Sequence, residues 1–152
     1  MVKGRSGGFP DHVEVTHALT VGARYAGVLP VSRLPRLKAA VASPDTELNV
    51  DLRFERDREG HAWLRGGIQG ALTLTCQRGL HPYAWALDLH PELRLVASEA
   101  DEARLLKDCE PCFVENDRLA LREQIEDEVL LALPMTPRCG DPDCGKALGK
   151  GR

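Results

Sequence analysis

The 152-residue sequence predicts an α+β fold: a curved antiparallel sheet or partial β-barrel, packed by an amphipathic helix near the C-terminus and a short helix near the N-terminus. Three observations carry this. Leu48, Val50, Leu52 and Phe54 alternate with Asn49, Asp51, Arg53 and Glu55, the pattern of a half-buried strand. Further alternating runs follow with no helix between them, so neighbouring strands must be antiparallel hairpins. Leu121, Ile125, Val129 and Ala132 or Leu133 then recur at helical spacing.

Taken in order, residues 1–11 are rich in Gly and charge and are expected to be loose. From His12 to Leu19, Val13, Val15 and His17 alternate with Glu14 and Thr16, which predicts a short strand. Val28–Val31 leads to Ser32, a candidate N-cap. Leu34, Leu37 and Val41 then give the stripe of a short helix, with Pro35 tolerated in its first turn. After the strand at 48–55, Asp57–Gly60 reads as a turn. Trp63–Gln77 forms the next strand, with Ile68, Leu72, Leu74 and Cys76 on one face. Gly66 and Gly67 suggest a bulge or bend within it. Tyr83, Trp85, Leu87 and Leu89 alternate again, and Leu93–Val96 continues the sheet past Pro91.

Ser98–Asp108 is acidic, with a short helix expected around Glu102–Leu106. Asp117 is a natural N-cap for the C-terminal helix, and Pro134 and Pro137 stop it. One domain is expected over 12–137, and residues 138–152 form a Cys- and Gly-containing tail expected to be mobile.

Composition excludes several classes. Apolar residues are 43% and charged residues 28%, which is globular and argues against disorder or a repeat array. The longest apolar run, Val129–Leu133, is too short to cross a bilayer. The first eight residues have no apolar core, so no signal peptide is read and a cytoplasmic protein is expected. Residues 1–76 carry ten Lys/Arg against eight Asp/Glu, and residues 77–152 carry ten against fifteen. Any RNA contact would therefore use a local basic patch in a chain of net charge −3. Arg33, Arg36, Lys38 and Arg78 are the candidates; the alternative for the three around the short helix is a solvated face.

No phosphate loop, G-x-S-x-G elbow or H-E-x-x-H stands in the chain. Glu126-Asp127-Glu128 are three consecutive helical positions, which point in three directions, so they read as a solvated face with at most one structural hydrogen bond. The cysteines number five, Cys76, Cys109, Cys112, Cys139 and Cys144, an odd count that argues against a disulfide framework. Cys109-Glu110-Pro111-Cys112 has C-x-x-C spacing, but the residues after it do not read as a helix that would lower a thiol pKa, so buried thiols are expected. Cys76 ends a strand at a tight connection. With Cys139 and Cys144 it leaves a tetrahedral zinc site one ligand short, a place His81 would fill.

Gly70–Pro82, read as G-A-L-T-L-T-C-Q-R-G-L-H-P, together with Glu126–Pro134, E-D-E-V-L-L-A-L-P, resembles the YceD-type large ribosomal RNA subunit accumulation proteins. Tyr25–Leu37 also fits the family's N-terminal segment, so the resemblance runs over about residues 12–144. It implies a bacterial cytoplasmic protein needed for normal amounts of 23S ribosomal RNA, with no established enzymatic activity. Cys76 matches the first cysteine of the family's C-x-x-C, Cys139 a Cys-or-His position and Cys144 the last cysteine. Gly79 replaces the second cysteine, so no cofactor is expected and zinc is doubtful.

Three functions are weighed. The first is a non-enzymatic ribosome-biogenesis factor that binds 23S ribosomal RNA or its precursor, or a large-subunit ribosomal protein or assembly factor. The second is an acidic adaptor docking on such a protein without touching RNA. The third, least favoured, is a metal-dependent nuclease at Cys76, His81, Cys139 and Cys144. No membrane and no small-molecule substrate is expected.

Overall fold

The computed structural model describes residues 9–96 and 110–140. In chain order the elements are β1 (Val13–Glu14), α1 (Val15–Val21), β2 (Arg24–Pro30), a 3-10 turn (Val31–Arg33), α2 (Pro35–Ala40), β3 (Glu47–Arg56), β4 (Ala62–Thr75), β5 (Pro82–Leu89), β6 (Glu92–Val96), β7 (Glu110–Phe113), β8 (Arg118–Leu119) and α3 (Leu121–Ala132). The fold is α+β, and its main sheet is six-stranded, with neighbours in the order β2-β3-β4-β6-β7 and β5 also on β4. The sheet is not closed. A two-stranded ladder joins β1 to β8.

Strict alternation builds the centre. Leu48, Val50, Leu52 and Phe54 from β3 and Leu64, Ile68, Leu72 and Leu74 from β4 are all buried on one face. Leu37 of α2 and Leu121, Ile125 and Val129 of α3 join them in one core cluster. Burying each such side chain contributes roughly 1.5–3 kcal/mol, so these strands and helices dominate the stability.

β5 and β6 lie in one register against β4: Ile68 faces Leu89 and Leu64 faces Leu93. They are one strand in two pieces, interrupted where Pro91 lacks the N–H a ladder needs. Gly66 sits opposite this break, its N–H donating to the Pro91 carbonyl at 3.3 Å. No bulge occurs there, since the β3–β4 pairing runs unbroken from Leu48–Gly70 to Arg56–Ala62. The glycine serves close approach instead: a Cβ at position 66 would stand 1.9 Å from the Asp51 carbonyl oxygen.

Four local expectations are corrected. Residues 15–21 are helical, not a strand; Val15 and Ala18 are buried three apart, and Gly22 ends the helix in the left-handed region at φ 63. β2 is a strand that the reading missed. Ser32 caps nothing, because α2 begins at Pro35 after Leu34. Finally, β7 runs parallel to β6, so the sheet is mixed. The helix expected around Glu102–Leu106 lies outside the described residues.

Of residues 1–11, the described ones are packed. Phe9 is buried, the Asp11 carbonyl accepts from Leu121 N at 3.0 Å, and the Asp11 carboxylate pairs with Arg122. Among the described residues no helix is long and apolar enough to cross a membrane.

Candidate nucleic-acid interface

None of the three described α-helices starts with a local side-chain cap, and α1 and α2 are capped from the C-terminal third of the chain. At α1, Val15 N donates to the Asp117 carbonyl at 2.9 Å, and Thr16 N donates to Asp117 Oδ1 at 3.0 Å. The Thr16 hydroxyl adds a third bond to Oδ1 at 2.7 Å. Asp117 was expected to cap α3; it stands in the left-handed region at φ 59, and α3 begins only at Leu121, after Ala120. At α2, Leu37 N donates to Glu126 Oε2 at 2.9 Å, and Arg36 Nε donates to Oε1 at 3.1 Å. Helix N-termini have orphan N–H groups and a positive dipole end, so a carboxylate from elsewhere satisfies both.

This corrects the solvated-face reading of Glu126-Asp127-Glu128. Glu126 is 2% exposed and works as an internal cap. Asp127 Oδ1 holds Arg36 Nη1 at 2.7 Å, and the Arg36 guanidinium is held charged first by that bond and then by Glu126.

The four candidate RNA contacts are thereby separated. Arg36 already has two carboxylates and the Glu123 carbonyl as partners. Arg33 and Lys38 flank it on the exposed side of the 3-10 turn and α2, and among the described residues neither has an ion-pair partner. The chain leaving α2 is tied to β4, with Ala42 N donating to the Thr73 carbonyl at 2.7 Å. The turn carrying the exposed Arg78 follows directly on that strand.

The outer face of the sheet holds more arginine, which sequence reasoning passed over although the alternation places Trp63, Arg65 and Arg53 together there. Arg24 is paired with Asp51, which pulls that carboxylate down chiefly through their hydrogen bond. Arg53 and Arg65 share Glu55. Arg65 stacks 4.2 Å from the Trp63 ring centroid and Arg94 approaches it at 5.7 Å. The Trp63 indole N–H donates to Asp57 at 2.9 Å. That bond, against the cost of desolvation, and the N–H groups of His61 and Glu59 hold the Asp57 carboxyl well below the ordinary carboxylate range. Arg24 is thus neutralised by Asp51, and Arg53 and Arg65 divide one carboxylate between them.

The candidate metal ligands are brought only partly together. Cys76 is buried, and Gly79 N donates to its Sγ at 3.3 Å. Gln77 N donates to the Pro137 carbonyl at 2.8 Å, which sets Cys139 beside the same turn. Burial pushes the Tyr83 phenol up, and the Cys76 and Cys139 sulfurs add to this. His81 contributes its carbonyl to Cys76 N. Among the described residues the groups of three ligand atoms within reach of one ion reduce to Asp57, Glu59 and His61, so His81 does not complete a set with the two thiols. Position 79 offers a backbone N–H and no side-chain ligand, and among the described residues Cys76, His81 and Cys139 do not gather as ligands of one ion. Cys144 and Cys109 lie outside the described residues; Cys112 is buried, its thiol donating to Gln124 Oε1 at 3.3 Å.

Comparison with known proteins adds to this geometry. The family model described as large ribosomal RNA subunit accumulation protein YceD matches residues 64–151. The large ribosomal RNA subunit accumulation protein YceD of Haemophilus influenzae is 30% identical over 121 residues, covering 79% of this chain and 70% of that protein. No solved structure matches the chain.

Proposed function

Because the chain belongs to the YceD family of large ribosomal RNA subunit accumulation proteins, we propose that it supports accumulation of 23S ribosomal RNA as a non-enzymatic binding factor. The observation that carries this reading is the division of labour around α2. Glu126 and Asp127 are spent on fixing that helix, which leaves Arg33 and Lys38 displayed on a rigid mount. Phosphate contacts of this kind position RNA without reading its sequence. The two residues, with Arg78 on the neighbouring turn, are the proposed RNA-facing set, and Arg36 serves it as a positioning residue. The factor would act in the cytoplasm on 23S RNA or its precursor, with no metal and no small-molecule substrate.

The test is titration of 23S-derived RNA with the full chain at rising salt. Each lost phosphate contact is expected to flatten the plot of log affinity against log salt by about one unit. Arg33→Ala and Lys38→Ala together are expected to weaken binding alike for unrelated RNA sequences. Unchanged affinity and unchanged slope in the double variant would overturn the assignment.

A further inference from the structure

The outer side of α3 differs from the side that builds the core. Ala120 at its N-cap and Glu123, Gln124, Asp127 and Leu131 within it recur at spacings of three and four, so they form one stripe. β7 and the turn after it run alongside. Between them lies a trough made of two adjoining hollows of about 390 and 450 Å³, which share Phe113, Gln124 and Asp127. From Ala120 to Leu131 it extends about 16 Å, at the rise of an α-helix.

Its lining combines exposed apolar side chains with an excess of carboxylates over cations. Phe113 is 45% exposed and Leu131 is 77% exposed, so two large apolar side chains open into it. Glu115, Glu123, Asp127 and Glu128 line it as carboxylates. The arginines that line it are Arg118 and Arg36, the latter already tied by Glu126 and Asp127, and His12 stands at one end. Carboxylates repel phosphate, so nucleic acid is the wrong occupant. Isolated apolar residues on a surface need no explanation, but an aromatic and a leucine in one trough whose lining holds more carboxylates than cations mark a contact surface.

We propose that this trough docks a Lys/Arg-rich segment of a partner protein that presents apolar anchors to Phe113 and Leu131. Charge complementarity selects the occupant and brings it in, and the apolar anchors hold it. The span suits about five residues of extended chain. The proposal stands on the trough alone and does not depend on the RNA reading.

The test uses the full chain and a labelled peptide of about a dozen residues in which Lys and Arg alternate with Leu, read by fluorescence anisotropy. A peptide with Ser for every Leu and one with Glu for every Lys and Arg are the controls. The Leu-containing basic peptide is expected to bind at least about tenfold more tightly than either control, the ratio worth one apolar anchor or charge contact. Leu131→Asp, and separately Glu115→Lys with Glu123→Lys, are expected to weaken it about tenfold, with each variant still folded in the absence of urea. Arg33→Ala with Lys38→Ala is expected to leave peptide binding unchanged, which separates this result from the RNA titration. Equal binding of the Ser and Leu peptides, or variants that leave affinity where it was, would overturn the proposal.

Discussion

Replacing Glu126 by alanine probes the internal cap most sharply. The carboxylate is 3% exposed and accepts from Leu37 N at 2.9 Å and from Arg36 Nε at 3.1 Å. A hydrogen bond to a charged group contributes about 1.5–3 kcal/mol, and the alanine leaves a buried N–H unsatisfied. The one lost methylene adds about 0.8 kcal/mol of burial. The Arg36 contact adds little, because that guanidinium is half exposed and screened. Glu126→Ala is therefore expected to cost about 2–4 kcal/mol, a large share of the ~5–15 kcal/mol typical of a domain. Glu126→Gln keeps an acceptor for Leu37 N and loses only the charge, so about 1 kcal/mol is expected. Urea unfolding at pH 7 measures both, with the slope unchanged if the transition stays two-state. A loss below about 0.5 kcal/mol for Glu126→Ala, the level of an ordinary surface substitution, would refute the capping role. A Gln variant as damaged as the Ala variant would show that charge, and not the bond to Leu37, is what matters.

Other expectations follow from the same contacts. Asp117→Ala removes the cap of α1 and should cost about 1–2 kcal/mol in urea unfolding, while Asp117→Asn, which tolerates the left-handed region and keeps an acceptor, should cost well under half of that. Gly66→Ala drives a methyl group into the Asp51 carbonyl and should destabilise by about 1–3 kcal/mol or more, lowering the thermal midpoint. Asp57 has its folded pKa depressed, so its contribution is fully present above the ordinary carboxylate range and is lost as pH falls through the lower folded value. Asp57→Asn should thus destabilise at neutral pH, and the gap from the parent protein should close on acidification; a gap independent of pH would contradict this. Elemental analysis of the purified full chain is expected to find far less than one zinc per molecule, and a full equivalent surviving dialysis would contradict the reading of Gly79.

The sheet was legible where side chains alternate cleanly. β3 and β4 carry Leu, Val, Ile and Phe at every second position, and burial of one face enforces that period. α3 was equally plain from Leu121, Ile125 and Val129. β2 escaped notice because its inward positions include Gly27, which adds no apolar signal to Tyr25 and Leu29. α1 misled because Val13, Val15 and His17 alternate, and the force that makes the segment helical is the Asp117 cap 101 residues away. Glu126 is the same case: its partner on α2 is 89 residues distant, so an internal cap looked like surface charge. The α2 cations were readable as candidates, but only the fold shows that Arg36 is tied while, among the described residues, Arg33 and Lys38 have no ion-pair partner. The trough beside α3 needed β7 in place, since neither Phe113 nor Leu131 stands out in the sequence.

On the proposed function, this fold serves large ribosomal RNA by holding and displaying residues and not by reacting with it. The most direct test is the ratio of 23S to 16S ribosomal RNA in host cells lacking the gene and complemented with variant chains. The account predicts that deletion lowers the ratio, that the parent chain restores it, and that Arg33→Glu with Lys38→Glu, folded to the same stability, does not. A ratio that deletion leaves untouched would contradict it.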